Sequence, residues 1–413
     1  MILLLTISSI YINFLPISNV NAQSSTVYST HVTASFFMDY TSLTDCFSKG
    51  RGEVLIDDCG IFDASVMMFD YEMDGDMDIT KGSWLYLQEN DSFNRIQFST
   101  LWNDEHKLVS NPYSSPTHAD FNHDGYEDMV CCGDHILSLF INTCAQHDNG
   151  SWFTMYELFN FSILTDGDFS PNPYGITSAD FNDDGFIDVA VGYRINFKTS
   201  KIAIFYNQNG TNFNREDVFT LKNDEEEIGS IYELEAADFD QDDDIDFLLC
   251  YNTIRICKYD IRVHDQGVTC LLRNNGDTTF TNLSVIAVRG IPIVIGGEYV
   301  LLWRDLQRSL GICRINPKTA VADFDGDNDV DMILGDQSGK VELFENNGAG
   351  ELTSLGKYYN GIIADFGAVS WGIDAADFDG DGDADFVVCG TNTNNPTENG
   401  IIYLKRNQLN FFN

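Results

Sequence analysis

Six times along this 413-residue chain a nine-residue loop recurs with an acidic or amide side chain at positions one, three, five and nine. The loops carry Asp70, Glu72, Asp74 and Asp78; Asp120, Asn122, Asp124 and Asp128; Asp180, Asn182, Asp184 and Asp188; Asp238, Asp240, Asp242 and Asp246; Asp323, Asp325, Asp327 and Asp331; and Asp377, Asp379, Asp381 and Asp385. A solvated acidic turn accounts for one such loop but not for six at one spacing. So many oxygens in a tight turn call for a hard cation, and Ca²⁺ takes six to eight oxygen ligands in flexible geometry. Up to six Ca²⁺ are expected. An EF-hand is excluded, because it needs Glu at loop position twelve followed by a helix. Here the twelfth residue is Val191, Leu334 or Val388, within short apolar runs such as Val189-Ala-Val-Gly192 that read as buried strands.

The loops begin at residues 70, 120, 180, 238, 323 and 377. Each is followed by a second signature, an apolar strand ending in an Asn-rich turn. Examples are Ile202-Ala-Ile-Phe-Tyr-Asn207-Gln-Asn209-Gly210, Leu271-Leu-Arg-Asn274-Asn275-Gly276, Leu343-Phe-Glu-Asn346-Asn347-Gly348 and Ile401-Ile-Tyr-Leu-Lys-Arg-Asn407. Asn-Gly between strands is a hairpin signal, because both residues tolerate positive φ. One unit therefore reads strand, metal loop, strand, strand, hairpin, strand, with no amphipathic helix between. Four strands per repeat of about 40–60 residues predict an all-β chain, a β-propeller. Six four-stranded blades are counted, with the loops between first and second strands; a seventh is left open. Residues 23–61 are too few for a blade but suffice for a strand that closes the ring. Leu409–Asn413 reads as an incomplete outer strand.

The Asp-x-(Asp/Asn)-x-Asp-Gly-x-x-Asp loops with their apolar second strands resemble the FG-GAP/VCBS repeats of propellers like the integrin α-subunit N-terminal domain. The resemblance covers residues 62–413. It implies that side chains one, three, five and nine, with the carbonyl of residue seven (Asp329 in the fifth loop), hold Ca²⁺ in each blade. Two loops depart from the pattern. Asp243 stands where the sixth position needs a left-handed backbone, which Asp accepts less readily than Gly. Glu72 is one methylene longer than its counterparts. Both sites are expected to be weaker.

The formal net charge is −41, and nearly half of the 64 acidic residues lie in the six loops. The excess argues against nucleic acid or an anionic membrane as partner. Residues 1–22 read as a secretory signal peptide cleaved after Ala22, although only the amino terminus supplies positive charge. A secreted, extracellular monomer with no membrane insertion after cleavage is expected. Ten cysteines permit disulfides in that compartment. Cys46 with Cys59, Cys144 with Cys131 or Cys132, and Cys257 with Cys270 are local candidates. Cys132, Cys250 and Cys389 fall on second strands, where a free core thiol is the simpler reading. Sequons stand at Asn90, Asn149, Asn160, Asn209 and Asn282, and Asn149 and Asn209 also read as turn residues.

No nucleophile elbow, zinc-protease motif or phosphate loop is present. His118 reads as a strand residue and His123 as a loop spacer. The interval 252–318 is longer than its counterparts and contains Trp303, Arg304 and Arg308. Such insertions often map to a binding face. Three functions follow: a calcium-dependent recognition or adhesion module for extracellular protein or glycan ligands, a polysaccharide lyase, and a purely structural secreted module. The first is favoured, since no cluster of Arg and Lys stands ready to hold a uronate.

Overall fold

In the computed structural model the chain divides into two units, Met1–Asp45 and Cys46–Asn413. The structure describes residues 5–6, 9–10, 53–57, 65–81, 84–89, 92–97, 116–133, 135–143, 153–164, 171–222, 227–256, 262–276, 279–289, 293–295, 298–300, 318–335, 340–354, 362–365, 368–392 and 401–407. Within the first unit, Leu5–Thr6 pairs with Ser9–Ile10. The rest of the expected signal segment lies outside the described residues, as do Trp303, Arg304, Arg308, Asn90, Asn149 and Leu409–Asn413.

The second unit is a β-propeller of six antiparallel blades, each a meander in sequence order apart from the outer strand of the last. Their first strands are Val66–Phe69, Thr117–Ala119, Asn172–Ala179, Glu227–Ala237, Lys318–Ala322 and Ala368–Ala376. We number the blades 1 to 6 in that order. First strands of neighbouring blades pack against one another around the axis. Burial falls off outward in blade 3. The second strand, Asp188–Asn196, has six consecutive buried residues, whereas the fourth, Phe213–Lys222, is mostly exposed or half-exposed. A strand buried on both faces needs a continuous apolar run, and an edge strand does not.

The outer strand of blade 6 comes from the other end of the chain. Glu53–Asp57 pairs antiparallel with Ile401–Lys405, so both ends of the unit are held in one sheet. In blade 5 the outer position is split: Thr353–Ser354 pairs with one end of Lys340–Glu345 and Ile362–Asp365 with the other. Part of the long interval is used within blade 4, whose third strand, Arg262–Asn274, runs for 13 residues. A short hairpin, Ile293–Ile295 with Glu298–Val300, follows.

The core lies in the clefts between blades. One cluster joins Phe69 and Leu85 of blade 1 to Met129 and Phe140 of blade 2. Another joins Phe121 and Val130 of blade 2 to Val191 and Phe205 of blade 3. Others follow at the 3/4, 4/5 and 6/1 interfaces. The aromatic residue at loop position two enters these clusters as Tyr71, Phe121, Phe181, Phe239 and Phe378. Each of the five fills the cleft toward the next blade, so the loop and the core share one residue.

The axis carries charge as well. Lys318 pairs with Glu233 and also donates to the Tyr232 carbonyl. The Asp374 carboxylate accepts the Met68 N–H at 2.6 Å across the 6/1 interface. Burial pushes Asp374 up to about 6, although nearby His118 pulls it down. His118 Nδ1 lies 3.0 Å from Glu127. His118 lies on the strand Thr117–Ala119, as expected, and also faces the charged groups Glu127 and Asp374.

Blades 3 and 4 approach most closely at glycines. A Cβ on Gly192 would lie 2.7 Å from Ile231 Cγ2, and one on Gly175 would lie 2.9 Å from the Glu233 backbone. Overpacking of this kind costs about 1–3 kcal/mol. Gly192→Ala is therefore expected to lower the unfolding free energy by that amount in a denaturant titration, and an unchanged midpoint would contradict the close packing.

Candidate metal centres

All six loops fold alike, because the carboxylate at position one wraps the turn. Asp70 accepts the N–H groups of Asp74 and Gly75 at 3.0 and 2.9 Å. Asp120, Asp180, Asp238 and Asp377 do the same for residues five and six of their loops. Asp323 accepts from Gly326 and Asn328 instead. Position five accepts the N–H of position seven, as Asp74, Asp124, Asp184, Asp242, Asp327 and Asp381 all show.

The turn requires a left-handed backbone at position six in every copy: Gly75, Gly125, Gly185, Asp243, Asn328 and Gly382 all have positive φ. Position four does too, as Met73, His123, Asp183, Gln241, Gly326 and Gly380. The sequence offers little sign of this second site, because four of the six residues there are neither Gly nor Asn. Neighbouring loops touch through it. His123 stacks on Phe186 of the next loop at 4.6 Å, and Gln241 donates to Asp329 and to the Asn328 carbonyl.

Position nine is different in kind. Asp78, Asp128, Asp188, Asp246, Asp331 and Asp385 are at most 1% exposed. In five loops one oxygen accepts the N–H of residue two: Tyr71, Phe121, Phe181, Phe324 and Phe378. In all six the other accepts a backbone N–H at the end of the blade's third strand, from Gln88, Asn142, Asn207, Asn274, Asn346 and Asn407. Burial pushes these carboxyls up to about 7, and Asp331 to about 8, although the backbone donors pull them down. Loop carboxylates nearby push the same way. An anionic carboxylate in that place needs positive charge.

Three loops bring positions one, three and nine together. One oxygen from each of Asp238, Asp240 and Asp246 lies within 4.8 Å of the others, and the same holds for Asp323, Asp325 and Asp331 and for Asp377, Asp379 and Asp385. In the fourth loop Asp240 Oδ1 and Asp246 Oδ2 are buried without a hydrogen-bond partner. Orphaned acceptors on a convergent all-oxygen set fit a cation, and these clusters could hold one. The other oxygen of Asp240 takes Arg273 Nη1 at 2.6 Å, and Arg406 pairs with Asp379. These arginines, which the sequence did not point to, hold a position-three carboxylate from outside. In the second loop Asn122 bonds Asp124 through its amide, at 2.9 Å. In the first, Glu72 forms no such convergent group with Asp70 and Asp78 among the described residues.

Asp243 contributes its N–H to Asp238. Cys131, Cys132, Cys250 and Cys270 are buried free thiols, and Cys389 is buried as well. That removes the proposed bridges from Cys144 to Cys131 or Cys132 and from Cys257 to Cys270, since each would need a thiol that packs in the core. Cys46, Cys59, Cys144 and Cys257 lie outside the described residues. Of the sequons, Asn160 turns its amide oxygen onto Ser162, and Asn209 is exposed at a hairpin tip.

A family model of the FG-GAP-like repeat matches residues 120–191 and 323–388. The chain is a β-propeller that carries FG-GAP-like repeats. No curated protein matches it. Among solved structures, this propeller is similar to the crystal structure of BBS1N in complex with ARL6DN, soaked with mercury, at 8% identity and a TM-score of 0.43, covering 85% of this chain and 94% of that one. It is also similar to part of the Photorhabdus luminescens Tc holotoxin pore, at 16% identity and a TM-score of 0.40, covering 86% of this chain and 15% of that one.

Two outcomes follow from the loop geometry. A Cβ at position six meets nothing within 4 Å in the Gly-bearing loops, so Asp243 carries a cost of backbone conformation alone. Asp243→Gly is expected to raise stability by about 1 kcal/mol, read from chemical denaturation in chelator. The second outcome concerns pH. The position-nine carboxyls titrate near 7 when folded and near 3.8 otherwise, so the metal-free fold binds the extra protons. Their contribution is fully present below about pH 4 and is lost as pH rises through 7 to 8. In chelator the melting temperature should therefore fall between pH 5 and pH 8, an effect that bound cation would counter.

Proposed function

We propose that this chain is a secreted, calcium-stabilised FG-GAP propeller that serves as a recognition module, binding an extracellular protein or glycan through loops on a propeller face. The observation that carries the calcium reading is the convergent carboxylate set, with its two orphaned acceptors in the fourth loop. Ca²⁺ lies 2.3–2.6 Å from its ligands, so oxygens on opposite sides of the ion stand about 4.6–5.2 Å apart; Mg²⁺ needs a tighter octahedral cage at 2.0–2.1 Å. The convergent oxygens, all within 4.8 Å of one another, are close enough to share one cation. When bound, the ion supplies the charge that lets the position-nine carboxylate stay ionised where it is buried. The residues expected to hold it are those at positions one, three, five and nine.

Recognition is favoured by the fold, because FG-GAP propellers suggest protein-interaction modules. The charge of −41 speaks against nucleic acid and anionic membrane. No helix among the described residues is long and apolar enough to cross a membrane. The polar, small-residue end of the 1–22 segment supports export with a mature N-terminus at Gln23.

Extracellular calcium modules bind with Kd of about 10⁻⁴–10⁻³ M, and at ten times Kd each site adds about 1.4 kcal/mol, or roughly 8 for six. EDTA is expected to lower the melting temperature by many degrees, with Ca²⁺ rather than Mg²⁺ restoring it. A melting curve indifferent to EDTA would remove the calcium reading. Binding of the purified chain to arrayed extracellular glycans and matrix proteins is expected in Ca²⁺ and lost in EDTA; binding that chelation leaves intact would separate recognition from the metal.

A further inference from the structure

The asparagine that ends the third strand does more than satisfy its own blade. Its backbone N–H goes to the buried position-nine carboxylate, and in four blades its side chain reaches the loop of the preceding blade. Asn142 Nδ2 donates to the Tyr71 carbonyl at 2.9 Å, Asn207 to Phe121 at 2.8 Å, Asn346 to Phe239 at 2.9 Å and Asn407 to Phe324 at 2.9 Å. All four asparagines are at most 2% exposed. The acceptor is always residue two of a metal loop. In blades 1, 2 and 5 the N–H of that same residue binds its own position-nine carboxylate. One chain of hydrogen bonds thus runs through Asp78, Tyr71, Asn142, Asp128, Phe121, Asn207 and Asp188. A second runs through Phe239, Asn346, Asp331, Phe324, Asn407 and Asp385.

The two chains do not join. In blade 4, Asn274 donates to Ile245 of its own blade, and among the described residues it makes no bond to Phe181 of blade 3. In blade 1 the place is taken by Gln88, which makes no bond to Phe378 of blade 6 among the described residues. The loop-to-loop contacts agree. His123 stacks on Phe186 and Gln241 bonds Asp329 within each half, whereas at the 3/4 interface Asp183 faces Asp244, like charge against like.

We propose that these asparagines are positioning residues that couple each metal loop to the loop of the preceding blade, and that their absence at the 3/4 and 6/1 interfaces divides the ring into two coupled halves, blades 1–3 and 4–6. The proposal rests on the calcium reading of the loops. A cation that fixes Asp331 also fixes Asn346, and through it the Phe239 end of the fourth loop. Occupancy of the fifth loop is then felt in the fourth but not across the seam in blade 3.

Hydrogen exchange on the full chain, with CaCl₂ titrated in, separates these cases. Asp327→Ala, which removes a ligand of the fifth loop, is expected to speed amide exchange in the fourth loop by about two- to tenfold, the range one buried hydrogen bond supports. Asp242→Ala in the fourth loop is expected to leave the third loop unchanged. Asn346→Ala keeps the backbone bond to Asp331 but should abolish the response of the fourth loop to Asp327→Ala; Asn274→Ala should alter neither. Should Asn346→Ala not fold, Asn142→Ala tests the same link between the second loop and the first, with Asp124→Ala removing the ligand. Effects confined to the mutated loop, or crossing the 3/4 seam equally, would overturn the coupling alone. The absence of any calcium-dependent protection in the unmutated chain would overturn the calcium reading and this proposal together.

Discussion

The architecture depends on a carboxylate buried at the foot of each loop. Position nine closes the turn, begins the second strand and accepts backbone N–H groups from its own loop and from the third strand. A buried anion is tolerable only when its lone pairs are filled and its charge is balanced. The backbone donors meet the first requirement, and a cation held among the neighbouring carboxylates would meet the second. Three consecutive strands of a blade are thereby tied at one point.

That tie sits beside the apolar clefts. Residue two of the loop plugs the cleft to the next blade with its ring and binds position nine with its N–H. Hydrophobic packing between blades and charge balance within them are therefore not separable: loosening the loop would withdraw an aromatic side chain from the core. This shared residue gives a physical reason for a strongly acidic protein to keep so much of its charge in turns.

Much of this was legible in the sequence. Spacing of oxygen-bearing side chains predicted the loops, short apolar runs predicted the second strands, and their repetition predicted the propeller. The left-handed sixth position was readable from Gly75, Gly125, Gly185 and Gly382. Position four was not, because His123, Asp183, Gln241 and Met73 adopt positive φ under the pull of the turn's hydrogen bonds rather than by preference. The Asn-Gly signal was read as a hairpin only, and Asn207 and Asn346 turn out to bond a neighbouring blade as well. Cysteine spacing suggested bridges, and the strands bury Cys131, Cys132 and Cys270 as thiols instead.

The sequence by itself determined what is local and periodic: the loops, the alternation of strands and the residue types able to hold a cation. These are set within nine residues or by repetition, so no distant contact is needed to read them. Only the tertiary structure decided what joins one repeat to the next. Partners far apart in the chain meet only in the fold, Asn407 and Phe324 because neighbouring blades pack and Ile402 and Ile56 because the ring closes. The repeats look alike in one dimension, and it is the side-chain hydrogen bonds between them that make the 3/4 and 6/1 interfaces unlike the other four.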